Sequence, residues 1–118
     1  MTHLSREQVL QIIENARRHT NRAHLVEMDL NGVDLAGVYL VGANLSRTNL
    51  SLADLRAANC WGANLSGANL QGANLSEAIL DGADLRWANL EGACLRHISF
   101  DHTTKWPARF DLGGFQKQ

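Results

Sequence analysis

An all-β solenoid is the fold class this 118-residue sequence predicts. Three observations predict it. A leucine, or a near equivalent, recurs every fifth residue from Leu25 to Phe100. A small or apolar residue, most often alanine, stands two before each of these centres. Glycine stands two after many of them, as in the run Ser66-Gly67-Ala68-Asn69-Leu70-Gln71-Gly72.

The centres are fourteen leucines with Cys60 and Phe100, sixteen positions in register without an insertion. A helix cannot use this spacing, because five residues advance about 140° beyond a full turn and scatter the leucines round the circumference. A flat strand fails as well, since an odd step puts successive leucines on opposite faces. The chain must therefore bend once per repeat. Alanine and leucine, two apart, form a short extended piece with both side chains inward. The three-residue step to the next alanine is the corner. Glycine occupies that corner at 32, 37, 42, 62, 67, 72, 82 and 92, where it permits the positive φ of tight turns. Bends in one direction wind the chain into stacked coils whose backbones pair about 4.8 Å apart.

The run Ala63-Asn64-Leu65-Ser66-Gly67, Ala68-Asn69-Leu70-Gln71-Gly72 and its continuation resemble the A(D/N)LXX motif of the pentapeptide-repeat family. The resemblance covers roughly residues 23–102. It implies a right-handed quadrilateral β-helix with four pentapeptides per coil, hence about four coils. Residues twenty apart then lie above one another. Asn49, Asn69 and Asn89 would stack above Asp29, with their amides bonded up the column or to nearby backbone.

The flanks read as caps on one domain spanning 1–118, with 1–22 as the N-terminal cap, 23–102 as the repeat and 103–118 as the C-terminal cap and tail. Ser5-Arg6-Glu7-Gln8 is a capping box opening a helix over about 6–18. Val9, Ile12, Ile13 and Ala16 make its apolar face, expected to lie over the first coil rather than on a membrane or partner. Thr104-Lys105-Trp106-Pro107-Ala108-Arg109-Phe110-Asp111 breaks the beat of five and resembles the T-x-W-P-x-x-F-D closing element of the same family. Trp106 and Phe110, with Phe115, are expected to fold over the last coil, and Gly113–Gln118 to fray.

The formal net charge is −1, which suits neither a polycationic nucleic-acid binder nor an acidic disordered tail. The beginning of the chain is broken by Arg6, Glu7, Glu14, Arg17 and Arg18. No signal peptide and no membrane span are expected, and the cytoplasm is the expected compartment. Cys60 and Cys94 lack metal-site spacing, and Cys60 reads as a small buried hydrophobe in a leucine slot. The four Asn-Leu-Ser triplets are products of the repeat rather than glycosylation sites.

His97 and His102, with Asp101, imitate a metal site, but no full set of ligands stands at convincing spacing. No nucleophile elbow, P-loop or HExxH motif occurs, and Asn and Asp interchange along the repeat, so no carboxylate is singled out. No catalytic residue, cofactor or metal is expected. Outward positions carry the remaining signal. Tyr39 and Ile79 flank Asn59 in one column, and Val41 and Trp61 occupy the neighbouring column below Asp81. Isolated exposed apolar residues are ordinary, but four on one side are expected to form a protein interface. Trp87 is a further outward aromatic on another corner.

The expected function is a non-catalytic structural or protein-interaction module whose partner is another protein, a second copy of the chain included. The alternative implied by the family is a DNA mimic that inhibits DNA gyrase. Residues 25–100 hold eight acids and four arginines, a charge of −4, with Arg56 and Arg96 interrupting the side of Asp34 and Asp54. An ice-binding face is set aside because Thr48 is the only threonine in the repeat.

Overall fold

The computed structural model describes residues 2–19 and 22–110. Asp111, Phe115 and the tail from Gly113 therefore lie outside the described residues. Helix α1 spans Arg6–His19. It opens with the expected box: the Gln8 amide donates to Ser5 Oγ at 3.2 Å, and the Ser5 amide donates to Gln8 Oε1 at 2.8 Å. Glu7 in the first turn and Arg17, Arg18 and His19 in the last complement the helix dipole. Val9 and Ile13 are buried in the same apolar cluster as the repeat leucines, with Ile12 and Ala16 packed against it.

From residue 24 onward the chain pairs with itself twenty positions on, always in parallel: His24 with Asn44, Asp29 with Asn49, Asp34 with Asp54, Tyr39 with Asn59, and so on to Ile79 with Ser99. The pairings are isolated bridges because each straight side is too short to hold more. Four columns result, one for each side of the rod. The interior is a continuous pile of leucines, and Leu25 through Leu85 are 0–1% exposed, with Cys60 at 1% in its leucine slot. The alanines at 43, 53, 58, 63, 68, 73, 78 and 83 are equally closed off.

The corners explain the rest of the motif. At each one, the amide of the next inward residue donates back to the leucine carbonyl, as Val33 does to Leu30 at 3.1 Å and Ala68 to Leu65 at 3.1 Å. The second corner residue has positive φ, the requirement of a type II turn. Eight glycines meet it at φ 65–73°, but Glu27, Arg47, Leu52, Ala57, Glu77, Trp87 and His97 meet it too, at φ 55–63°. A side chain there costs about 1–2 kcal/mol, so the repeat tolerates strain at corners that sequence reasoning reserved for glycine.

Every backbone amide of the Leu65–Asn69 repeat has a partner. Leu65 donates to Asp84 O and Gly67 to Arg86 O in the coil above. Ala68 donates to Leu65 O, and Asn69 to Thr48 O in the coil below. The remaining amide, that of Ser66, donates to Asn64 Oδ1 at 3.0 Å. The same bond to the side chain two residues back recurs at Asp29, Asp34, Asn44, Asn49, Asp54, Asn59, Asn69, Asn74, Asp84 and Asn89. It uses only the Oδ1 atom, so Asn and Asp serve equally. Of the two arrangements expected for the amides, the local one prevails. Along the Asp29 column, a bond up the stack is made by Asn49 Nδ2 to Asp29 Oδ1 at 3.3 Å.

The ladder does not end at residue 102. It slips by one residue at Asp101 and continues, so that Asp84 pairs with Lys105 rather than with residue 104. Asp101 holds the slip together. Its Oδ1 accepts from the amide and hydroxyl of Thr103 at 3.0 and 2.6 Å, and from the Gly82 amide at 3.2 Å. Thr104 then takes an alanine slot, where its hydroxyl donates to Leu80 O at 2.9 Å. Thr48, the other threonine in such a slot, donates likewise to Leu25 O at 2.5 Å. Trp106 follows in the leucine slot above Leu85. Its ring meets Phe100 edge-on at 5.7 Å and stacks on Phe110 at 5.1 Å.

Candidate interaction face

The structure places Tyr39, Asn59, Ile79 and Ser99 in one column, joined by bridges from each to the next. Val41 and Trp61 occupy the first corner position beside it, with the Gly42 amide donating to Trp61 O at 2.9 Å. All four candidate residues therefore share one side of the rod. Trp61 is 56% exposed and Tyr39 37%, while Val41 and Ile79 are half-buried.

This side departs from the local chemistry of the other three. Tyr39, Ile79 and Ser99 stand where an Asn or Asp would accept the corner amide. Only Asn59 does so here, from the Trp61 amide at 3.2 Å. An apolar side chain in that slot gives up a local hydrogen bond worth about 1 kcal/mol and adds exposed apolar surface. Beyond the column, the second corner positions are Gly42, Gly62 and Gly82, so the backbone next to Trp61 is bare. A Cβ at Gly42 or Gly62 would meet nothing within 4 Å.

Charged groups flank the face at both ends, and of these Asp81 was placed by the sequence while Arg17 was not. The Arg17 guanidinium of α1 lies 4.6 Å from the centre of the Tyr39 ring, a cation–π contact at the helix end of the face. Ile13, Ala16 and Arg17 line a crevice with Tyr39 and Val41. At the opposite end stand Asp81, which accepts from Ser99 Oγ at 2.5 Å, and Asp101. Arg17 was legible only as a polar residue of the helix. Its place on Tyr39 depends on how α1 docks.

The other candidates lie apart from this face. Among the described residues, no group of three or more His, Cys, Asp or Glu gathers as a metal site would require, and His97, Asp101 and His102 are exposed. Trp87, 76% exposed, lies 5.3 Å beneath the Arg86 guanidinium on another corner. Burial pushes the Cys60 thiol up to about 12, which removes its nucleophilic form at neutral pH, while Cys94 is half-buried.

Half of the eight acids in residues 25–100 sit against arginines. Arg56 grips Asp54 with two bonds of 2.9 and 2.6 Å, and Arg86 grips Asp84 at 3.0 and 2.7 Å. These hydrogen bonds hold both carboxyls below their ordinary range. Arg6 lies 3.5 Å from Asp34, and Arg47 3.4 Å from Glu27.

The pentapeptide repeats profile, in eight copies, matches residues 21–59, 34–72, 58–96 and 68–104. Among solved structures, alr5209, a pentapeptide repeat protein from Nostoc Pcc 7120, is 39% identical over 97% of this chain and 95% of its own, with a TM-score of 0.81. Rfr23 from the cyanobacterium Cyanothece 51142 is 42% identical over 72% of this chain and 63% of its own, with a TM-score of 0.44. HetL, involved in heterocyst differentiation regulation in Nostoc sp. strain PCC 7120, is 37% identical over 64% of this chain and 38% of its own, with a TM-score of 0.35. No curated protein matches.

Proposed function

This chain belongs to the pentapeptide-repeat family, and we propose that it is a non-catalytic protein-interaction module that binds another protein through the side carrying Tyr39, Val41, Trp61 and Ile79. In this reading residues 1–118 form one domain, a right-handed quadrilateral β-helix of about four coils. Helix α1 caps one end of it, and the Trp106–Phe110 stack caps the other. The observation that carries the reading is the replacement of the corner-capping Asn or Asp by Tyr39 and Ile79 beside the exposed Trp61. A fold selected for stability alone would keep the local acceptor there. The cytoplasm suits its two free thiols.

DNA mimicry, the alternative, needs a continuous row of free carboxylates to copy phosphates. Four of the eight acids in residues 25–100, namely Glu27, Asp34, Asp54 and Asp84, sit against arginines instead. A supercoiling assay with DNA gyrase separates the readings, since an interaction module of this kind leaves the enzyme uninhibited.

The interaction reading is tested by affinity capture from native cell extract, comparing wild type with Trp61→Ser and Tyr39→Ser. The variants are expected to keep the wild-type circular-dichroism spectrum and to lose bound protein. Identical capture profiles would remove this side as the interface.

A further inference from the structure

We propose that the occupant of this face is a second copy of the same chain, packed side to side and antiparallel about Asn59. The proposal rests on the interaction reading above and names its partner. It follows from how the face is arranged along the rod. Tyr39 lies one coil below Asn59 and Ile79 one coil above it, so each is about 4.8 Å from the middle of the column. Turning a second rod end for end about Asn59 sets Tyr39 of each copy opposite Ile79 of the other. Trp61, in the same coil as Asn59, meets its own equivalent. A two-fold interface requires this kind of self-complementarity.

The charges obey the same symmetry. Arg17 marks the Tyr39 end of the face. Asp81, one coil above Trp61, and Asp101, bonded to the Gly82 amide, mark the other. In a parallel pair Arg17 would face Arg17, and the aspartates would face one another. In the antiparallel pair each Arg17 approaches Asp81 and Asp101 of the other copy, and like charges stay apart. The bare corner of Gly42, Gly62 and Gly82 allows the facing backbone to approach the two tryptophans.

The test is a charge exchange read by analytical ultracentrifugation of the full chain across a concentration series. Arg is already accommodated at the equivalent first corner position as Arg56, Arg86 and Arg96, so Asp81→Arg is compatible with the fold. Arg17 is exposed, so Arg17→Asp is too. Wild type is expected to dimerise, each single substitution to weaken the dimer at least tenfold, and the Arg17→Asp/Asp81→Arg double variant to regain most of the wild-type affinity. Trp61→Ser is expected to leave a monomer with the wild-type circular-dichroism spectrum. Wild type that stays monomeric at every concentration overturns the proposal while leaving capture of a different protein intact. A dimer that Trp61→Ser dissociates, but whose single charge variants are not rescued by the double, overturns the antiparallel arrangement.

Discussion

The side built on Asp29, Asn49, Asn69 and Asn89 and the side built on Tyr39, Asn59, Ile79 and Ser99 share one backbone and one kind of interior, yet differ outside. On the first, every outward residue accepts the amide two positions on. On the second only Asn59 does so. Leu50 and Leu70 behind the first are as buried as Leu40 and Leu80 behind the second. The winding is therefore set by the inward residues and the corner hydrogen bonds, and the outward slot adds a local increment that a binding surface can give up.

The inward half of this comparison is the easiest to break. Leu70→Ala and Leu80→Ala should each destabilise by about 2–5 kcal/mol, since both empty a fully buried slot. Chemical denaturation is the measurement, and near-equal losses on the two sides are expected. If one side tolerated the cavity and the other did not, the interiors would not be equivalent.

The outward half predicts effects of opposite sign. Asn69→Ala strands the Gln71 amide, which now donates to Asn69 Oδ1 at 3.1 Å, and should cost about 1 kcal/mol. Ile79→Asn supplies the missing acceptor and should gain a similar amount, raising the melting temperature by about 4 °C or more. The same substitution should weaken association, so stability and binding would move apart. A loss of stability in Ile79→Asn would mean that Ile79 belongs to the packing of the rod.

Corners sharpen the comparison with a smaller effect. Leu52 is 68% exposed and holds φ at 60°. Leu52→Gly relieves the strain but frees the unfolded chain, for a net gain of about 0.5 kcal/mol. The melting temperature should rise slightly, and a fall would show that the packing of the Leu52 side chain outweighs the strain.

The smallest effect concerns acid. Asp54 and Asp84 have folded carboxyls held below the ordinary range by their arginines. Their contribution to stability is thus complete above about pH 4 and is lost as pH falls through the lowered values. Asp54→Asn with Asp84→Asn keeps both Oδ1 acceptors and removes the charges. Melting at neutral pH should barely change, because exposed pairs contribute little, and the decline below about pH 4 should become shallower. An unaltered acid profile would assign that decline to other carboxyls.

Much of this was legible in the residues. The period of five by itself excluded helix and flat strand, placed Leu25 to Leu95 inside and put a corner after each one. The capping box at Ser5 and the face of Val9 and Ile13 located α1 to within a residue. The four candidate residues fell on one side because stacking is a matter of arithmetic once the coil holds twenty residues. That number came from the resemblance, since a period of five is compatible with any count of sides.

The sequence alone determined which side chains turn inward, because burying leucine is favourable wherever the chain bends and the spacing admits a single way to do it. Tertiary structure decided what depends on contacts between distant segments. The Asn and Asp oxygens had both a local amide and a neighbouring coil within reach, and the fold takes the local amide, with Asp29 Oδ1 accepting from Asn49 as well. The slip at Asp101, the continuation of the ladder to Trp106 and the seating of Arg17 on Tyr39 arise where the ends of the rod meet it. There the repeat has no next coil to copy, and packing selects the partner.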